Sequence, residues 1–243
     1  MIKNQDADTS MNYPALIVEA VSAMLCLLLV RFMTKPYRAT GESRYLGLPV
    51  GFALLGFSYI FMITALFFES FPLGEEIKWL RLFTEAYAFA FIALTYLFSK
   101  KPAKNSRVLW NSLYAVLVLT AVFLYLLLVE PPTYGLPDYR IANRDILLFN
   151  IVCIAYVSIF TLRNHFLRPD PETMLVPFGY SLLGFSQYSL LILSMGSNLV
   201  AFAGASFLRV LGLLIFVWVS YNSFYVSRKQ PREEGVVDEK ATP

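Results

Sequence analysis

The sequence predicts an all-α polytopic membrane protein of seven transmembrane helices, N-out and C-in, built as two parallel three-helix repeats joined by a fourth helix. Three observations lead there. Aliphatic and aromatic residues make up 57% of the chain and charged residues only 15%, a balance that excludes a soluble core and fits a polytopic membrane protein. The apolar residues fall into charge-poor runs near 13–33, 46–68, 77–98, 108–129, 146–166, 174–195 and 200–226, each close to the roughly 20 residues a helix needs to cross the hydrocarbon layer. Two stretches, "PVGFALLGFS" at 49–58 and "PFGYSLLGFS" at 177–186, agree at seven of ten positions, so the chain reads as internally duplicated.

Taken in order, residues 1–12 form an extracytoplasmic tail, "MIKNQDADTSMN", which holds more Asp than Lys. The apolar run that follows is too long for a signal-peptide core, so the first span is expected to stay attached. Spans one to three make repeat 1, about 13–98, and the span near 108–129 is the linker helix. Spans five to seven make repeat 2, about 146–226. The polar segment 227–243 is expected to be a disordered cytoplasmic tail. The links leave no room for a separate soluble domain, so the membrane domain is 13–226.

Positive charge sets the orientation. With the N-terminus outside, the cytoplasmic segments hold Arg31, Lys35, Arg38 and Arg44, then Lys100, Lys101, Lys104 and Arg107, then Arg163 and Arg168, and finally Arg228, Lys229, Arg232 and Lys240. The outer side keeps Lys3, Lys78, Arg81, Arg140 and Arg144, and that asymmetry is the signature of an N-out, C-in protein of the cell membrane. Tyr13, Trp79, Trp110 and Tyr225 fall near span ends, where aromatic rings sit among the headgroups. The net charge of +3 reports this topology, and no nucleic-acid partner follows from it.

The offset between the two repeated stretches is 128 residues, and without a gap it also brings Leu80 and Arg81 onto Leu208 and Arg209. Spans two and three therefore correspond to six and seven, and span one corresponds by position to span five. A single linker helix makes both units enter the membrane from the same side, so the repeats are expected to be related by an axis along the membrane normal.

This 3+1+3 order with an outer N-terminus resembles two families, the sugar-transporting SWEETs and the microbial rhodopsins. The resemblance lies in helix order across the whole chain, and it implies a solute site between the halves in the first case and a seven-helix sensor in the second. The paired Pro-Gln loop of the SWEETs is not present in the sequence. Pro49 and Pro177 stand at first helical turns, where proline is tolerated. A retinal pigment needs a Schiff-base lysine in the seventh helix, and "AFAGASFLRVLGLLIFVWVSYNSFY" has none, which excludes it.

Within the repeat, Gly51 and Gly56 match Gly179 and Gly184; small residues let membrane helices approach closely, so these four are expected on packing faces between the two bundles. Ser58 and Ser186 fall near the midplane, where each hydroxyl can bond its own helix or a ligand. The intramembrane charges say more, because an ionisable group in hydrocarbon is costly unless paired or hydrated. Arg81 and Glu85 are four apart and share a helix face. Arg209 is the repeat counterpart of Arg81, with no acid one turn away on its own helix, and Glu19 lies in the outer part of span one. Asn150 and Gln187 add polar groups, and these six are the candidate substrate-binding residues, expected either to meet a solute between the bundles or to form a structural ion-pair network.

Cys26 and Cys153 lie inside apolar spans with no CxxC, and His165 is the one histidine; no metal site and no cofactor are expected. No nucleophile and base pair is visible, so an enzyme is not expected. The leading expectation is a transporter or facilitator of a small polar or anionic solute, embedded in the lipid bilayer, with Arg81 and Arg209 as anion partners. The alternatives are a retinal-free, opsin-like receptor or sensor and a structural subunit of a membrane complex, whose aromatic and small-residue surfaces would meet a protein partner or a second copy of the chain.

Overall fold

The computed structural model describes residues 5–40, 46–67, 73–99, 111, 114, 115, 117, 118, 138–167, 169, 174–196 and 199–223. They form six long helices: α1 (Gln5–Thr40), α2 (Gly47–Phe67), α3 (Leu73–Ser99), α4 (Tyr139–Leu167), α5 (Leu175–Met195) and α6 (Leu199–Tyr221). All six are long and apolar enough to cross a membrane, and no strand occurs among the described residues. The chain is thus a helical, multi-pass membrane protein. Helices α4, α5 and α6 fall on the fifth, sixth and seventh predicted spans, with α4 starting earlier than the expected 146, at Tyr139. The fourth, 108–129, lies almost wholly outside the described residues; Asn111, Tyr114, Ala115, Leu117 and Val118 are helical. The predicted tail 227–243 lies outside them too. Helix α1 is longer than its predicted span at both ends, because the helix continues from Gln5, inside the expected 1–12 tail, through the basic stretch to Thr40.

Helix starts follow the proline rule. Pro49 and Pro177 both lie in the first turn of their helices and are buried, where the missing N–H removes no intrahelical bond. Helix α5 ends at Gly196, whose N–H donates to the Ile192 carbonyl at 3.2 Å.

Neighbouring helices pack in a closed ring, α1 on α2, α2 on α3, α3 on α4, α4 on α5, α5 on α6 and α6 back on α1. Helices α3 and α4 run in the same direction: Trp79 meets Tyr139 at 5.6 Å near their N-terminal ends, and Tyr96 meets Phe160 at 5.8 Å nearer their C-terminal ends. The centre is filled by Cys26, Leu29, Phe52, Leu55, Ala88, Ile154, Val157, Tyr180, Leu183, Leu213 and Phe216. The outer faces expose Ile17, Leu27, Phe57, Val152, Phe185, Phe207 and Trp218. Such a belt is suited to lipid, which asks nothing polar of a helix surface whose backbone groups are already bonded within the helix.

The four repeat glycines sit at close contacts, but within each set of three helices rather than between the sets. A Cβ on Gly51 would stand 2.5 Å from Ile92 Cγ1 of α3, and one on Gly56 3.1 Å from Cys26 Cβ of α1. A Cβ on Gly179 would stand 2.9 Å from Phe216 Cζ of α6, and one on Gly184 3.3 Å from Ile154 Cγ2 of α4. The expectation of a face between the bundles is corrected here. α2 and α5 are each the middle helix of their set, so their small residues face the flanking helices on either side.

Candidate functional site

Seven polar side chains of the interior cluster around two hydrogen-bonded arms in one half of the bundle. The first arm begins on α3, where the four-residue spacing places Arg81 Nη2 3.5 Å from Glu85 Oε2. The other oxygen of Glu85, Oε1, accepts a 2.8 Å hydrogen bond from Gln187 Nε2 on α5. Gln187 Oε1 in turn accepts from Asn150 Nδ2 on α4 at 3.5 Å. The second arm joins α6 to α1, with Arg209 Nη2 donating to Glu19 Oε1 at 2.8 Å. Arg209 Cζ also stands 4.7 Å from the centroid of the Tyr59 ring on α2, within the range of a cation–π contact. The arms feel one another, since Arg209 interacts electrostatically with Glu85, and Arg81 with Glu19 and Arg209.

Each of the six helices therefore supplies at least one member. All seven side chains are buried except that of Arg81, which keeps 15% of its surface exposed. Two arginines face two glutamates, so the cluster is formally neutral. That balance is what a low-dielectric site demands, because an uncompensated charge there is costly. The two shortest contacts, Glu85 to Gln187 and Glu19 to Arg209, each join a helix of the first three to a helix of the last three.

Not every polar atom is satisfied. Glu19 Oε2, Tyr59 OH, Asn150 Oδ1 and Arg209 Nε are buried without a hydrogen-bond partner. These four atoms come from four helices, and all belong to the cluster.

Toward the C-terminal end of α6 the interior turns aromatic. Tyr96 and Tyr180 share a 3.2 Å hydroxyl contact, Tyr180 packs on Phe216 at 4.5 Å between ring centroids, and Phe52 packs on the same ring at 5.6 Å. The polar cluster thus occupies one half of the bundle depth and a ring-packed plug the other. A separate furrow of about 440 Å³ lies on the outer face between α4 and α5, lined by Ile154, Ser158, Ser181, Gly184, Phe185 and Tyr188, and none of the cluster reaches it.

All six candidate residues, Glu19, Arg81, Glu85, Asn150, Gln187 and Arg209, meet in this cluster. Arg209, with no acid one turn away on its own helix, has the closest ion pair of the cluster, because the fold brings Glu19 to it from the other end of the chain. The two repeat serines also part company: Ser58 Oγ donates to Leu55 O of its own helix at 2.7 Å, whereas Ser186 Oγ donates to Ala205 O of α6 at 2.8 Å. Tyr59 is not among the six candidate residues. A signal existed, for the 128-residue offset that relates Arg81 to Arg209 also relates Tyr59 to Gln187. Among the described residues no group of three or more His, Cys, Asp or Glu side chains could hold a metal ion. No family model, no curated protein and no solved structure matches this chain.

Proposed function

We propose that the chain is a transporter or facilitator-like membrane protein that binds a small polar or anionic solute in the buried cluster between two three-helix repeats. The observation that carries this reading is the set of unpartnered atoms, Glu19 Oε2, Tyr59 OH, Asn150 Oδ1 and Arg209 Nε. A purely structural network gains by satisfying every member, and each buried polar atom left unmade costs about 1–3 kcal/mol. Four such atoms, contributed by four helices to one neutral cluster, suit a guest that supplies both donors and acceptors.

The duplication supports a mechanical role. Gly51 and Gly179, related by the 128-residue offset, meet Ala88 and Phe216, themselves related by 128; Gly56 and Gly184 meet Cys26 and Ile154, again 128 apart. The second match supports placing α1 and α4 in the repeat, although their sequences do not resemble each other. The parallel direction of α3 and α4 is the one that a single linker span between two parallel repeats calls for. Two like bundles with a polar cluster between them can rock about it while exposing it to one side at a time.

The close pairing of Arg209 with Glu19 favours a second reading, a structural lock between the halves. Ligand-dependent thermal stabilisation of the purified protein, over a panel of small anions and polar metabolites, separates the two. The informative variant is Glu19→Gln combined with Arg209→Gln, which removes both charges together. The transporter reading expects a folded protein that has lost its ligand response; a panel without any stabilising compound for the native protein favours the lock.

A further inference from the structure

We propose, building on that reading, that the solute is a small anion and that it binds together with one proton, the proton going to Glu19 and the anion to Arg209. The geometry of the two acids sets them apart. Glu85 has both oxygens engaged, Oε2 by Arg81 and Oε1 by Gln187. Glu19 has one oxygen on Arg209 and the other, Oε2, free. Arg209 mirrors it, with Nη2 on Glu19 and Nε–H free. The two loose ends of one buried ion pair are thus an acceptor for a proton and a donor for an anion.

Charge balance makes the two events one. The cluster starts neutral, with two guanidinium and two carboxylate groups. An anion entering alone would leave a net negative charge in a buried site, which is strongly disfavoured. When Glu19 takes a proton from the aqueous phase at Oε2, its carboxylate becomes a neutral acid and Arg209 is left as a cation without a counter-charge. The anion then supplies that counter-charge, and the cluster is neutral again. Besides Arg209 Nε–H, the anion can use the unpartnered hydroxyl of Tyr59, whose ring already lies against the guanidinium.

The surroundings of Glu19 fit this division of labour. α1 packs on α2 and α6, which present Tyr59 and Arg209. Cys26 on its own helix and Arg81 across the cluster on α3 are also in electrostatic reach of Glu19, and Arg81 and Tyr59 each interact with both Glu19 and Glu85. Cys26 and Tyr59 are neutral at physiological pH, and the Glu85 carboxylate remains held by its two partners. Glu19 is therefore the group with both an open oxygen and a cation to release.

The test uses the full chain, purified in weakly buffered detergent and titrated with three monovalent anions, as sodium chloride, sodium nitrate and sodium formate. Binding is read by thermal stabilisation and proton uptake by a pH indicator dye. One proton should be taken up per anion bound, and affinity should tighten about tenfold for each pH unit of acidification while Glu19 starts ionised, as linkage requires. A carboxylic C=O band should appear in the infrared difference spectrum on adding the anion. Glu19→Gln, an uncharged mimic of the protonated acid, should bind the anion independently of pH and without proton uptake, and Glu19→Asp should restore the uptake. Anion binding to the native protein with no proton taken up and no new carboxylic band overturns the coupling and leaves the solute site standing. If none of the three anions binds but a neutral metabolite does, the anion assignment is overturned while the transporter reading survives. If neither these anions nor the metabolite panel stabilises the native protein, the transporter reading and this inference are withdrawn together.

Discussion

Arg81 and Arg209 occupy equivalent places in the two halves of the sequence, yet their surroundings differ. Arg81 is paired on its own helix, at 3.5 Å, and 15% of its side chain is exposed. Arg209 is paired across the bundle at 2.8 Å to a residue 190 positions away, with 6% of its side chain exposed. The first pair ties nothing together, because an i,i+4 contact joins two points on one rigid helix; its arm reaches α5 only through Gln187. The second pair directly fastens α1 to α6 and closes the ring. Two arginines 128 positions apart thus have unlike surroundings, one beside a carboxylate of its own helix and the other joining α6 to α1.

The largest expected effect breaks the second arm. Arg209→Gln leaves Glu19 buried without its cation, and loss of one partner of a buried pair costs about 3–5 kcal/mol in soluble proteins. Thermal unfolding in detergent should show this plainly. Arg81→Gln should cost less, about 1–3 kcal/mol, because that side chain is partly open and Glu85, though buried, keeps its hydrogen bond from Gln187. Equal destabilisation by the two substitutions would end the comparison. Removing both charges with Glu19→Gln and Arg209→Gln should recover most of the lost stability, since neither charge is then stranded.

The first arm is sharpened at Gln187. Gln187→Leu removes the donor to Glu85 Oε1, and leaving that oxygen unmet should cost about 1–3 kcal/mol, with Asn150 losing its acceptor as well. A melt unchanged from the native protein would mean that Glu85 finds another donor and that this arm is not built through α5.

Glycine contacts give a comparable effect by a different route. Gly179→Ala drives a methyl group into the Phe216 ring and should cost about 1–3 kcal/mol through overpacking, whereas Gly204→Ala meets nothing within 4 Å and should stabilise its helix slightly. Similar melts for the two would remove the close approach of α5 and α6 from the explanation of the fold.

The smallest expected difference compares the repeat serines. Ser186→Ala breaks a bond between α5 and α6 and should cost about 1 kcal/mol, the net worth of a typical hydrogen bond. Ser58→Ala removes a bond from the side chain to its own helix and should fall within a few tenths of a kcal/mol of the native protein. A reversed order would show that the Ser58 hydroxyl meets something beyond its own helix.

What the sequence by itself determined is everything that depends on nearest neighbours along the chain. Runs of apolar residues long enough to span hydrocarbon must become helices, because lipid offers no partner for an open backbone, and so the six described helices lie where those runs do. The prolines at 49 and 177 marked helix starts for an equally local reason. Arg81 and Glu85 were legible as a pair because four residues on a helix make one face. The partner of Arg209 was not legible, since nothing within one turn of either residue says that α1 closes the ring against α6. The same holds for the glycines, whose spacing announces a close approach but not the helix that makes it, and for Tyr59, which reads as one more apolar aromatic until the guanidinium lies on its ring. Only the tertiary structure decided these matters, because a charge placed in a low-dielectric interior is answered by whichever opposite charge the packing brings within reach.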